Sequence, residues 1–197
     1  APPPLRPPLP PVVPKTHTGL PVPDLPPLFF SVPAYAPGQE GPMNAFTLHA
    51  AGIRPTSRGQ ITLTGATIDD PVALDPNLLS TQYDVDCLVT SMKQIRDLTS
   101  QPALKDWVTR EVYPGPDVQT DEALAEYARS FVSSYHHQVG TCAMGTSAMS
   151  VVDPELRVYG VTGLRVADAS VMPAVPSGNT NAPAIMIGEK CADLIAA

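Results

Sequence analysis

The sequence is poor in cysteine, in basic residues and in long apolar runs, and each shortage excludes a class of protein. Three cysteines among 197 residues, with irregular spacing and no CxxC pair, argue against a disulfide framework or a zinc site and favour a reducing compartment such as the cytoplasm. The formal net charge of -7 argues against nucleic acid or an anionic membrane as partner, because no basic run exists to release counterions. No stretch approaches the roughly 18 apolar residues that span a bilayer.

Several common catalytic and nucleotide-binding motifs are also missing from the sequence. It contains no GxGxxG after a strand, no Walker A loop, no GxSxG elbow and no HExxH. On its own, therefore, the chain offers no standard dinucleotide cradle, nucleotide site, serine hydrolase site or zincin site, and we expect no metal.

Proline, by contrast, is abundant and concentrated at one end. Twelve of the twenty-five prolines fall within residues 1–27, where they fix φ and remove amide donors, so this arm is expected to be extended and irregular. A tether or surface wrap is the favoured interpretation of the arm. A polyproline ligand for an adaptor domain and a part of an active-site lid are the alternatives.

The remaining sequence predicts a mixture of short strands and longer helices. Strand-like runs at 28–32, 45–50 and 60–64 favour antiparallel pairing. Apolar steps of three and four predict helices at 83–99 and 121–133, the second capped by Thr120. A strand at 163–170, a loop rich in proline and glycine and a helix at 182–196 complete the chain. This pattern predicts an α+β fold with an antiparallel sheet and flanking helices.

Two adjacent histidines, His136 and His137, precede a stretch interrupted by glycine and are the strongest candidates for chemistry. An imidazole can accept a proton from a hydroxyl, and the glycines allow close backbone approach. Neighbouring side chains point in different directions, so at most one of the two is expected to face a given site. From the residues alone, a packed or capping pair is the favoured interpretation and a catalytic histidine the alternative.

A second candidate segment, Ser177–Pro183, begins the last helix. Asn or Thr can cap that helix while Pro183 occupies its first turn, but an amide there is also well placed to hold a substrate oxygen or a cofactor edge. Asp168, at the end of the predicted strand, is either a turn former or a residue close to a cofactor.

The sequence resembles the C-terminal portion of the glucose-methanol-choline (GMC) flavin oxidoreductases. The similarity covers most of the chain after residue 28, in family order. Its matching segments are Arg54–Leu63, Asp75–Leu79, His137–Gly145, Val152–Pro173, Asn179–Asn181 and Met186–Lys190.

This resemblance implies roles for particular residues. His137, four positions before the Thr of the HxxGT pattern, would accept the alcohol proton, and Asn179 would be the second catalytic position. Asp168 and Ala169 would lie near FAD. The backbone of Asn179, Thr180 and Asn181 would flank the isoalloxazine ring.

The resemblance also implies an organisation and an activity. Residues 28–150 would form the substrate-binding domain, and residues 151–197 would complete a Rossmann-like FAD domain. The expected reaction is oxidation of a primary alcohol, an aromatic or furanic one being an option, by hydride transfer to FAD. Because the βαβ unit that binds the ADP part of FAD is absent, an N-terminal FAD-binding part is expected on a missing segment or a separate chain.

Two other functions stay open on the sequence. A hydroxynitrile lyase would use the same scaffold and histidine without net redox chemistry. A non-catalytic fragment would act as an interaction module through its proline-rich arm.

Overall fold

The computed structural model describes residues 28–31, 34–35 and 38–197, with the backbone alone at 28–31. The proline-rich arm predicted at 1–27 lies outside the described residues. The described elements are β1 (Leu28–Ser31), β2 (Thr47–Ala50), β3 (Gln60–Leu63), β4 (Val72–Asp75), α1 (Gln82–Ser100), α2 (Asp121–Phe131), a 3-10 helix (Ala169–Val171) and α3 (Asn181–Ala196). The α+β class and the antiparallel pairing are thereby confirmed.

The strands form two separate antiparallel hairpins. In the first, β1 pairs with β2 so that Phe29 lies opposite His49. In the second, β3 pairs with β4 so that Ile61 lies opposite Leu74. The sequence patterns did not predict β4, because Asp-Pro breaks on both sides leave only four residues for it.

The chain divides into two compact units, one of which contains β1, β2, α2 and α1 from Val85 onward. Within this unit α2 begins where predicted, because the backbone N–H of Ala123 donates to Thr120 Oγ1 at 3.2 Å and so satisfies one of the free amides of the first turn. Leu124 and Ala128 are buried on the apolar stripe of the helix. An ion pair joins Lys93 of α1 to Asp121 of α2.

The second unit contains β3, β4 and the last third of the chain. Its core is built from segments far apart in sequence that converge on α3, with the buried residues Val152, Leu156, Val171, Met172, Ile187 and Cys191. Burial of Val152 and Val171 is complete. This core fixes the position of the loops described below.

The strand predicted at 163–170 is not formed, apart from a single bridge between Arg157 and Arg165. Gly163 has φ +78°, which bends the backbone away from an extended path. The segment then ends in the 3-10 helix, whose N-cap is Asp168. The helix predicted after this segment is present as α3 and begins one residue earlier than expected. Over the described part of the chain, no helix has the length and apolarity needed to cross a membrane.

Candidate active site

The loop that follows His137 is tied to the turn containing the 3-10 helix by backbone hydrogen bonds. The N–H groups of Gly140 and Cys142 both donate to the carbonyl of Ser170, at 3.1 and 3.0 Å, and Met144 N–H donates to Val171 O at 2.8 Å. Gly140 has φ +94°, a conformation that glycine adopts without steric penalty. The loop after His137 and the turn at residues 168–171 are thus connected by three backbone hydrogen bonds.

The ring of His137 is held at its Nδ1 atom. This atom lies 3.1 Å from the carbonyl oxygen of His136 and 3.1 Å from Thr180 Oγ1. His136 has φ +61°, and its own N–H donates to Ser134 Oγ at 2.9 Å. Because a carbonyl oxygen can only accept, the contact with His136 requires the proton of a neutral ring to be on Nδ1.

The other ring nitrogen, His137 Nε2, is buried and has no hydrogen-bond partner among the described residues. In the tautomer with the proton on Nδ1 this atom carries a lone pair. Leaving a buried acceptor unsatisfied costs about 1–3 kcal/mol, so the arrangement suits a group that finds its partner in a ligand. Here that atom can act as a base toward a hydroxyl.

An aromatic side chain lies beside the histidine. The ring of Tyr135 meets the ring of His137 edge-on, with 5.4 Å between centroids and an interplanar angle of 83°. Edge-to-face contacts of this kind restrict the orientation of both rings. His136, in contrast, is exposed, so the two adjacent histidine side chains lie in different environments.

The segment before α3 reaches His137 through Thr180. Thr180 is buried, whereas Asn179 and Asn181 on either side of it are exposed. Sequence reasoning paired His137 with Asn179 and expected Asn or Thr to cap the helix, but the observed side-chain contact is between His137 and Thr180. The convergence of the Asn179 carboxamide on His137 stays a prediction.

Asp168 and Ala169 lie at the turn that supports the histidine loop. The N–H of Ser170 donates to Asp168 Oδ1 at 2.8 Å. Hydrogen bonds from the side chain and backbone of Ser170 hold the pKa of Asp168 below its usual value of 3.8, so this exposed group is an anion at neutral pH. Ala169 is half-buried in the 3-10 helix.

One further residue was missed by sequence reasoning. Arg54 donates from Nε and Nη2 to Ser177 Oγ, at 3.2 and 2.8 Å. The contact spans 123 residues and anchors the loop that leads to Asn179. The sequence around Arg54 contains no pattern that predicts a hydrogen bond to a residue so distant along the chain.

The family model of the GMC oxidoreductases matches residues 55–188. This match covers more than half of the chain, and the chain belongs to the GMC oxidoreductase family. The resemblance noted from the sequence is confirmed.

Individual relatives agree with this assignment. The chain is 41% identical to choline oxidase of Arthrobacter globiformis over 188 residues, which cover 91% of the chain and 34% of that enzyme. The structure matches a fungal aryl-alcohol oxidase with a TM-score of 0.71 and 36% identity, over 79% of the chain and 26% of the other. It also matches a formate oxidase of Aspergillus oryzae RIB40 with a TM-score of 0.76 and 26% identity, over 87% of the chain and 31% of the other.

FAD is the cofactor of this family, and the formate oxidase structure concerns modification of its FAD. The unpartnered Nε2 atom of His137 is an acceptor that a bound ligand could satisfy. No cluster of His, Cys, Asp or Glu suited to a metal ion occurs in the part of the chain that the structure describes. The chain spans about a third of the length of the choline oxidase it matches.

Proposed function

We propose that the protein containing this chain is a FAD-dependent alcohol oxidase or dehydrogenase in which His137 is the catalytic base. The observation that carries the proposal is the buried, unpartnered Nε2 of His137 in a chain of the GMC oxidoreductase family. A primary alcohol is the proposed substrate and an aldehyde the product.

The chemistry divides between the protein and its cofactor. Oxidation of an alcohol removes a proton from oxygen and a hydride from carbon, and FAD, when bound, supplies the hydride acceptor. The lone pair on His137 Nε2 takes the hydroxyl proton, so the ring becomes an imidazolium. The carbonyl of His136 and the hydroxyl of Thr180, both 3.1 Å from Nδ1, accept from the opposite side of that cation. Asn179 is proposed to orient the substrate oxygen.

The cofactor would lie against the turn and the helix start that flank His137. Asp168 and Ala169 on one side, and the backbone of Asn179, Thr180 and Asn181 on the other, are the proposed contacts. We propose that residues 28–150 form a substrate-binding domain and that residues 151–197 complete a Rossmann-like FAD domain. The N-terminal part of the enzyme, on a longer polypeptide or a separate chain, would bind the ADP half of FAD.

An aromatic or furanic alcohol is the proposed substrate class within the primary alcohols. The Tyr135 ring, which is about half exposed and packs edge-on against His137, offers a surface for a second aromatic ring. The match to an aryl-alcohol oxidase supports the same class. Choline is the substrate named for the other relative. Faster flavin reduction by benzyl alcohol than by choline would therefore support the aromatic class.

The experiment that tests the base is His137→Ala in the full-length, FAD-loaded protein. Loss of a positioned general base lowers the rate by roughly 10²–10⁴-fold, so we expect reduction of the flavin by benzyl alcohol in stopped flow to slow by that factor. His136→Asn is the matched control, because His136 is exposed and asparagine tolerates the left-handed backbone at this position, φ +61°. This variant keeps the backbone carbonyl and should stay near the wild-type rate. An unchanged rate in His137→Ala would remove this residue from the role.

A further inference from the structure

Thr180 occupies the N-cap position of α3 without capping the helix. An N-cap threonine ordinarily accepts a hydrogen bond from a backbone amide two or three residues ahead, and such a cap contributes about 0.5–2 kcal/mol. Thr180 makes no such bond. Its Oγ1 instead lies 3.1 Å from Nδ1 of His137, across 43 residues of sequence.

Thr180, which makes the contact with His137, is buried, with an exposed fraction of 9%. Two oxygen atoms therefore face the same ring nitrogen, the Thr180 hydroxyl and the His136 carbonyl, each 3.1 Å away. The carbonyl requires a proton on Nδ1, and the hydroxyl oxygen can accept from that same proton. The carbonyl contact thus selects the tautomer that leaves Nε2 free, and the hydroxyl stabilises this tautomer by accepting from the same proton.

We propose that Thr180 is a positioning residue that holds His137 in the Nδ1–H tautomer and sets the direction of its ring. The proposal rests on the proposed function for its catalytic consequence, but the tautomer itself is a property of this chain alone. Because the Thr180 hydroxyl contacts His137, the start of α3 has no side-chain cap from Thr180. The hydroxyl that would have stabilised α3 is directed to the base.

The first test is spectroscopic and needs no turnover. In the full-length protein with ¹⁵N-labelled histidine, the ring-nitrogen shifts of His137, assigned by its loss in His137→Ala, are expected to report Nδ1 protonated and Nε2 unprotonated at a pH where the ring is neutral. Thr180→Val, which removes the hydroxyl and keeps the shape, should raise the Nε2–H fraction. Thr180→Ser should restore the wild-type spectrum, because it retains the oxygen.

The second test is kinetic and uses the same three proteins. A hydrogen bond to a charged group that is lost in Thr180→Val should slow flavin reduction at saturating benzyl alcohol by about 10-fold to 100-fold, while the apparent Kd for the alcohol changes less than about 3-fold. Thr180→Ser is expected to recover most of the rate. Loss of a helix cap alone would not change the tautomer, and it would not slow flavin reduction selectively while leaving the apparent Kd for the alcohol nearly constant.

Thr120→Val is the matched control for a general loss of stability. Thr120 does cap its helix, since Ala123 N–H donates to its Oγ1 at 3.2 Å. This variant should lower the unfolding midpoint and leave the His137 spectrum and the reduction rate unchanged. Thr180→Val, in contrast, should change the His137 spectrum and slow flavin reduction, with an unfolding midpoint near that of the wild type.

Three results would overturn the proposal. A wild-type His137 protonated on Nε2 would do so without any variant, even if Thr180→Val failed to fold. A Thr180→Val protein with the wild-type tautomer and rate would also do so, as would a Thr180→Ser protein as impaired as Thr180→Val. Failure of the base assignment is seen separately, as an unchanged reduction rate in His137→Ala, and does not alter the spectroscopic result.

Discussion

At the scale of single residues, Asp84, in the first turn of α1, is a carboxylate held by several hydrogen bonds. It accepts from the backbone N–H groups of Thr56 and Ser57, at 2.8 and 2.7 Å, and from both of their hydroxyls. Burial raises the pKa of Asp84, but these hydrogen bonds outweigh burial and hold it below the usual value of 3.8. Asp84 thereby attaches the segment before β3 to the start of α1.

We expect Asp84→Asn to lower the unfolding midpoint at neutral pH, because an amide accepts fewer hydrogen bonds and presents its own N–H₂ to the donors of Thr56 and Ser57. A depressed folded-state pKa means that the stabilisation is fully present above the unfolded-state value, near 3.8, and is lost as the pH falls through the lower, folded value. The difference between variant and wild type should therefore shrink in acid. Thermal unfolding followed at several pH values measures this.

Asp97→Asn is the control for this effect, since Asp97 lies on the same helix and is exposed. It should unfold like the wild type throughout. A difference between Asp84→Asn and wild type that stays constant down to the most acid pH would contradict the assignment of the stabilisation to the ionised carboxylate.

At the scale of elements, the helices are the part of the fold that the sequence predicts best. Apolar spacing acts over a few residues, as does the Thr120 cap of α2, which is why α2 begins at its predicted residue and α3 within one residue of it. The short strand β4 and the absence of a strand at 163–170 depend on tertiary hydrogen bonds, such as Val166 N–H to Leu156 O at 3.1 Å. Local sequence patterns do not predict those hydrogen-bond partners.

The candidate site divides in the same way. The residues alone marked the adjacent pair His136 and His137 as candidates, and the resemblance to a family was needed to select His137 and to mark Asn179 and its neighbours. The contact of His137 with Thr180 could not be read from the sequence, because it requires the left-handed backbone of His136 and the packing of α3 against a distant core. The same holds for the pair formed by Arg54 and Ser177.

The loop after His137 provides a prediction at this scale. Gly140→Ala places a side chain at φ +94°, and the added Cβ has ordinary contact distance to its nearest neighbour, Met172 O at 3.5 Å. The expected cost is therefore conformational, about 1–3 kcal/mol. We expect a lower unfolding midpoint and slower flavin reduction, because the loop follows His137, the proposed catalytic base.

Gly188→Ala is the opposite case and serves as the control. Gly188 lies within α3, and an added Cβ meets nothing within 4 Å. Alanine in a helix interior is favoured over glycine by about 1 kcal/mol, so this variant should be as stable as wild type or more so. Equal destabilisation by both substitutions would show that backbone conformation at Gly140 is not the cause.

At the scale of the whole molecule, the hairpin of β3 and β4 presents exposed apolar side chains. Every residue of β3 and β4 is exposed, including Leu63 and Leu74 at 77% and 68%. Exposed apolar patches and unpaired strand edges mark surfaces that pack against other polypeptide. The chain also spans about a third of the length of the choline oxidase it matches.

We expect the 197-residue chain on its own to retain little FAD. The sequence has no GxGxxG motif to hold the pyrophosphate, and the proposed contacts from this chain reach only the flavin end. Visible flavin absorbance of the protein after gel filtration in the presence of FAD measures retention. The full-length protein, treated in parallel, should keep one flavin per molecule, and equal retention by the short chain would contradict the proposed division of the cofactor site.

Two neighbouring carbonyl oxygens, Ser170 O and Val171 O, join the two sides of the proposed catalytic centre. Ser170 O receives both Gly140 and Cys142, so neither the histidine loop nor the Asp168 turn can shift by much without carrying the other along. A displacement of this turn would thus displace His137, the proposed proton acceptor, with it. The relative position of the proposed base and the proposed cofactor contacts would therefore be preserved.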